Sequence, residues 1–119
     1  MKSFDEPYRE EREWGSFIRF TKELPSTVKI LTVNPGQAFS LQKHQNREEG
    51  WYVISGKGII QIGDERNEVE IGKTYFIPKD TLHRLEADTE PLVVLEVSFG
   101  EFDENDITRL EDLYGRAGL

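Results

Sequence analysis

From Trp14 to Phe99 the chain is cut by glycine and proline into short runs rich in β-branched and aromatic residues. Val28 to Val33, Gln42 to His44 and Trp51 to Ser55 read as strands. Gly56-Lys57-Gly58 turns the chain into Ile59 to Ile62, and Gly63-Asp64 turns it into Asn67 to Ile71. Thr74 to Ile77 ends at Pro78, Lys79-Asp80 reads as a turn, and His83 to Ala87 and Leu92 to Phe99 follow. Many short strands at close spacing predict a β-sandwich or barrel rather than an α/β fold.

The flanks differ. Met1 to Glu13 is polar and mixed in charge, which suits a solvated arm or one that docks on a partner subunit. In the tail, Asp103, Glu104 and Asp106 precede Ile107, Leu110 and Leu113. That apolar spacing, with acids at the start and Gly115 and Arg116 at the end, predicts one short amphipathic C-terminal helix.

At 119 residues the chain is the size of one domain. It has no cysteine, so disulfides and thiolate metal sites are excluded and a reducing, cytoplasmic location is expected. No apolar stretch reads as a signal peptide or approaches the ~20 residues of a membrane span. The formal net charge of −8 argues against nucleic acid as a partner, since phosphate backbones need a basic face. A small phosphorylated ligand needs only a few local cations and stays possible.

Both histidines of the chain fall in these strand-rich blocks. Gln42 and His44 are two residues apart, which puts them on one face of a strand. Glu49 follows a short connection and shares a face with Trp51, while His83 begins a strand whose same-face neighbours are Leu85 and Ala87. Gln42, His44, Glu49 and His83 thus form a candidate mixed N/O set for one divalent ion, with Zn, Mn, Fe, Co and Ni all compatible. Arg47 lies on the connection between two of these residues and is the first candidate to bind a phosphate. Alternation turns Arg84 away from the face of His83, and no carboxylate outside the set is assigned inward, so a general base is missing.

The order Gly36, Gln42, His44, Glu49, Gly56, then Gly72, Pro78, His83, resembles the two signature motifs of the cupin superfamily. Gln42 stands where the first histidine is usual, and Asp80 where a glycine is usual. The stretches RxWGSF from Arg12, PGxxFSLQxHxxRxExW from Pro35, YFIPxxxxHRLE from Tyr75 and LEVSFGEFDENDITRLEDLYGR from Leu95 narrow the likeness. They resemble the cupin domain of type II phosphomannose isomerases, a domain often fused behind a mannose-1-phosphate guanylyltransferase.

The resemblance implies an all-β cupin double-stranded β-helix, a jelly-roll barrel, with residues 1–13 as an arm and 14–119 as the single cupin domain. It implies a metal-dependent aldose–ketose isomerase interconverting mannose 6-phosphate and fructose 6-phosphate. Gln42, His44, Glu49 and His83 would hold the metal; Arg47 would serve catalysis or substrate binding; Lys29 and Arg84 align with further basic positions that would bind substrate. Small cupins commonly pair edge strands, so a homodimer is expected, with Tyr52, Phe17 and Phe20 as candidate interface residues. The chain departs from the family in QKHQNR at Gln42 to Arg47, in Gly50 and in Glu13, changes that thin out the acid/base groups around the ligand set. Those losses support a second reading, a non-catalytic sugar- or nucleotide-sugar-binding cupin; a third is another metal-cupin enzyme such as an oxygenase, using Fe or Ni on the same four ligands.

Overall fold

The computed structural model describes residues 7–100, 103 and 105–111. Over these residues every regular element is a strand: β1 (Tyr8–Arg12), β2 (Gly15–Arg19), β3 (Ser26–Val33), β4 (Leu41–Lys43), β5 (Arg47–Ser55), β6 (Gly58–Ile62), β7 (Glu65–Glu68), β8 (Thr74–Ile77), β9 (His83–Ala87), β10 (Leu92–Gly100) and β11 (Thr108–Glu111). All pairings are antiparallel. A four-stranded sheet runs β3-β10-β5-β8 and a five-stranded sheet runs β11-β4-β9-β6-β7.

The core joins apolar side chains of both sheets. Trp51, Val53, Val94, Leu92 and Ile77 come from one, and Ile60, Leu85 and Ala87 from the other. Alternation explains the choice: Leu31, Val94 and Val53 stand opposite one another across three strands, so they share a face. A second, smaller cluster lies on the other face of the four-stranded sheet, where Val97 and Phe99 are covered by Phe20, Leu24, Phe76 and Leu95. Phe20 also meets Tyr52 edge-on at 5.4 Å, so these two rings pack within one chain.

Glycine is required where strands cross closely. A Cβ on Gly58 would stand 1.9 Å from the Glu86 carbonyl oxygen, and one on Gly56 would stand 2.2 Å from that of Pro91. Gly56 also adopts φ +104°, a left-handed conformation that other residues disfavour. Asp80 holds φ +57° in the turn before β9, a conformation that aspartate tolerates better than most residues. Its N–H donates to the His44 carbonyl at 2.6 Å, which ties this turn to the end of β4.

Three elements differ from the sequence expectation. The expected C-terminal helix is corrected: Thr108–Glu111 is a strand paired with β4, and Leu113, Gly115 and Arg116 lie outside the described residues. β4 offers an edge of unpaired backbone groups, and filling it outweighs a weak helical pattern. Tyr8–Arg12 pairs with Gly15–Arg19 as a hairpin. The strand expected at Asn67 to Ile71 sits instead at Glu65–Glu68, an exposed edge with no apolar signature, directly after the Gly63-Asp64 turn. Val69 packs on the core from the loop beyond it.

Candidate metal centre

Two sheets supply the candidate ligands from opposite sides. On the four-stranded sheet, Thr27, Ser98, Glu49 and Ile77 form one row of inward residues, and Lys29, Glu96, Trp51 and Tyr75 form the next. On the five-stranded sheet, Arg109, Gln42, His83 and Ile62 form a row. His44 follows β4 directly. One ligand atom each from His44, Glu49 and His83 lies within 4.8 Å of the others. All three residues are buried, at 4%, 1% and 1% exposure.

Hydrogen bonds settle which ring nitrogens face inward. His44 Nδ1 lies 2.6 Å from the Asp106 carbonyl oxygen, and His83 Nδ1 lies 2.8 Å from that of Thr81. A carbonyl only accepts, so each Nδ1 carries the hydrogen and each Nε2 presents a lone pair. His83 Nε2 lies 3.4 Å from Glu49 Oε1, and neither atom has a hydrogen-bond partner among the described residues. Two buried acceptors facing each other repel unless something positive joins them. Burial lowers the His83 pKa from 6.5 to about 4 and lowers that of His44, so both rings stay neutral. Neutral imidazoles beside a carboxylate are the donor chemistry that Zn, Mn, Fe, Co or Ni accepts, and the residues fit such an ion. Gln42 stands opposite His83 and shares its face, with Oε1 accepting from Ser40 Oγ at 3.1 Å.

Arg47 is buried against this set. Its Nε donates to Glu49 Oε2 at 3.1 Å, one terminal nitrogen donates to His44 Nε2 at 3.2 Å, and the other donates to the Asp103 carbonyl at 3.2 Å. Burial pushes the Glu49 carboxyl up, and the Arg47 charge opposes that push. Asp106 braces the same connection from outside: its carboxylate oxygens accept from the backbone N–H groups of Gln45 and Asn46, each at 2.9 Å. Lys29 is half-buried on the inward face of β3, in register with Glu96. Arg84 is not brought to the site; it stands on the other face of β9 from His83 and donates through Nε to the Phe39 carbonyl at 2.9 Å.

Glu96 escaped the sequence reading. It is 6% exposed, stands in register between Lys29 and Trp51, and accepts from Trp51 Nε1 at 3.1 Å. Burial first, and then the neighbouring Glu49 charge, raises its pKa from 4.5 to about 7. The two carboxyl groups are electrostatically coupled: burial raises both, and the Glu49 charge raises Glu96 further. The available signal was one charged residue inside the otherwise uncharged run Leu92 to Phe99. The Trp51 ring packs edge-on against His83 at 5.4 Å and Phe39 at 6.0 Å, forming the floor of the site.

Comparison with known proteins agrees with this architecture. A family model described as mannose-6-phosphate isomerase C-terminal matches residues 2–112. The xanthan biosynthesis protein XanB of Xanthomonas campestris pv. campestris (strain B100) is 38% identical over 107 residues, covering 88% of this chain and 23% of that protein. This chain therefore spans about a quarter of that relative's length. A solved protein of Acidithiobacillus ferrooxidans ATCC 23270, described as a "Putative sugar phosphate isomerase", superposes with a TM-score of 0.58 at 26% identity, over 66% of this chain and 51% of that one. A Klebsiella pneumoniae subsp. pneumoniae MGH 78578 protein with a double-stranded β-helix domain superposes with a TM-score of 0.63 at 20% identity, over 92% of this chain and 88% of that one. The fold is the cupin double-stranded β-helix.

Proposed function

The chain belongs to the mannose-6-phosphate isomerase C-terminal family, and from that membership and its buried ligand set we propose that it is a metal-dependent aldose–ketose isomerase interconverting mannose 6-phosphate and fructose 6-phosphate. The relative named for xanthan biosynthesis and the structural neighbour described as a "Putative sugar phosphate isomerase" support a role on sugars. The observation that carries the proposal is the pair Glu49 Oε1 and His83 Nε2, two buried acceptors 3.4 Å apart with His44 Nε2 close by.

Isomerisation breaks the C2–H bond of the aldose, forms a C1–H bond, and exchanges carbonyl for hydroxyl through an enediol. A divalent ion held by His44, Glu49 and His83, with Gln42 as a fourth donor, would supply polarisation of the carbonyl and charge neutralisation at the neighbouring oxygens. The chain's own residues hold the rest of the geometry. Thr81 and Asp106 orient the two imidazoles through their Nδ1 hydrogens. Arg47 neutralises Glu49 and is itself held by the Asp103 carbonyl. Glu96, raised to about 7, holds its proton more tightly than an ordinary carboxyl and is the one inward carboxyl outside the ligand set, among the described residues, in the row beside Glu49. It is the candidate proton store that the sequence reading lacked.

A coupled assay on mannose 6-phosphate tests the proposal, run with metal-stripped protein resupplied with Mn, Co or Zn. Turnover that disappears in His83→Ala protein is expected. No turnover with any of the three metals would defeat the isomerase reading.

A further inference from the structure

We propose that Arg109 binds the phosphate group of a sugar phosphate beside the metal-ligand set. This rests on the reading of the chain as a phosphosugar cupin and assigns the anion to a residue of β11. In register, Arg109 faces Gln42, and Gln42 faces His83, so the three share one face of the five-stranded sheet. That is the face from which His83 meets Glu49. Two strand spacings, about 10 Å, separate the Arg109 backbone from that of His83.

Arg109 Nε is buried and has no hydrogen-bond partner among the described residues. A buried guanidinium donor left without an acceptor is costly, and its natural complement is an oxyanion. Among the described residues, the other basic side chains near the set are engaged. Arg47 is bound to Glu49, His44 and Asp103. Lys29 acts on the charges of Glu49 and Glu96. Lys43 pairs with Asp80 at 3.3 Å, and Arg84 holds the Phe39 carbonyl on the far face. With a net charge of −8, the chain repels anions at long range, so a sugar phosphate needs a local cation. The planar guanidinium fork matches phosphate oxygens, and a half-buried position strengthens that contact.

The test is calorimetric binding of mannose 6-phosphate, mannose and inorganic phosphate to metal-loaded wild-type, Arg109→Gln and Arg109→Lys proteins, with metal content measured on each. The expected result is a loss of roughly 10- to 100-fold in affinity for mannose 6-phosphate and for inorganic phosphate in Arg109→Gln. Mannose binding and metal content stay at wild-type values, and Arg109→Lys recovers part of the loss. If Arg109→Gln does not fold, Arg109→Lys decides alone, because a lysine keeps the charge and loses the fork. Phosphate affinity unchanged in the folded variant, or metal content falling with it, overturns the assignment. Wild-type turnover with unaltered KM in the variant overturns Arg109 alone. Arg109-dependent phosphate binding without turnover upholds Arg109 and removes the isomerase.

Discussion

A ring nitrogen and a carboxylate oxygen that face each other, both lone pairs forward, need a positive centre between them, and His83 with Glu49 is such a pair. Elemental analysis of His83→Ala protein is expected to show metal affinity reduced beyond the roughly 10- to 100-fold that outer-shell changes cost. Equal metal content in mutant and wild type removes His83 from the set. The same burial makes two residues pull stability in opposite directions with pH in the metal-free protein. The folded pKa of His83 is lowered, so its contribution is present above 6.5 and is lost as pH falls through about 4. That of Glu96 is raised, so its contribution is present below 4.5 and is lost as pH rises through about 7. Glu96→Gln keeps an acceptor for Trp51 but cannot ionise. Between pH 4.5 and 7.5 the stability of Glu96→Gln should therefore gain on wild type by up to about 3 kcal/mol, read from urea midpoints. A constant difference across that range would show that Glu96 titrates normally.

At the scale of elements, the C-terminal segment does more than close an edge. β11 fills the open side of β4, and the residues just before it hold the site: the Asp106 carbonyl takes the His44 Nδ1 hydrogen, and its carboxylate takes two N–H groups of the connection to Arg47. Those two bonds hold the Asp106 carboxyl below its usual range, although burial alone would raise it. Asp106→Ala should weaken zinc binding by about 10- to 100-fold in a calorimetric titration, with Asp106→Asn intermediate. Affinity unchanged in the alanine variant would make the segment a cover and nothing more. The β6–β9 pair sets a second limit. Gly58 passes so close to Glu86 that a methyl group would meet its carbonyl oxygen at 1.9 Å. Gly58→Ala must move backbone, and a loss of about 3 kcal/mol or more is expected by chemical denaturation. A loss under about 1 kcal/mol would mean that the crossing yields easily.

Over the whole molecule, the candidate ligands bridge two sheets: Glu49 comes from the four-stranded sheet, His83 and Gln42 from the five-stranded one. An ion on them would act as a clasp across the core and bind the folded chain alone. Free metal at 100 times its Kd adds about 2.7 kcal/mol. For a chain of this size that should raise the melting midpoint on the order of 10 °C, reversed by chelation. A midpoint indifferent to chelator would place any bound metal away from the two-sheet junction.

Periodicity and turn residues were enough to place much of the framework. Thr74–Ile77 and His83–Ala87 lie where alternation and Pro78 put them, and the all-β class follows from the spacing of Gly and Pro. The motif residues His44, Glu49 and His83 could be nominated because strand period and family spacing are local properties. What the chain alone left open depends on partners far away in sequence. Glu96 becomes a site residue only because β10 lies between β3 and β5, and Arg109 only because β11 joins β4 rather than coiling. The inward nitrogen of each histidine depends on carbonyls of Thr81 and Asp106 that the loops deliver. Alternation tells which residues share a face; sheet order and register, set by the burial of the whole core, decide what that face meets.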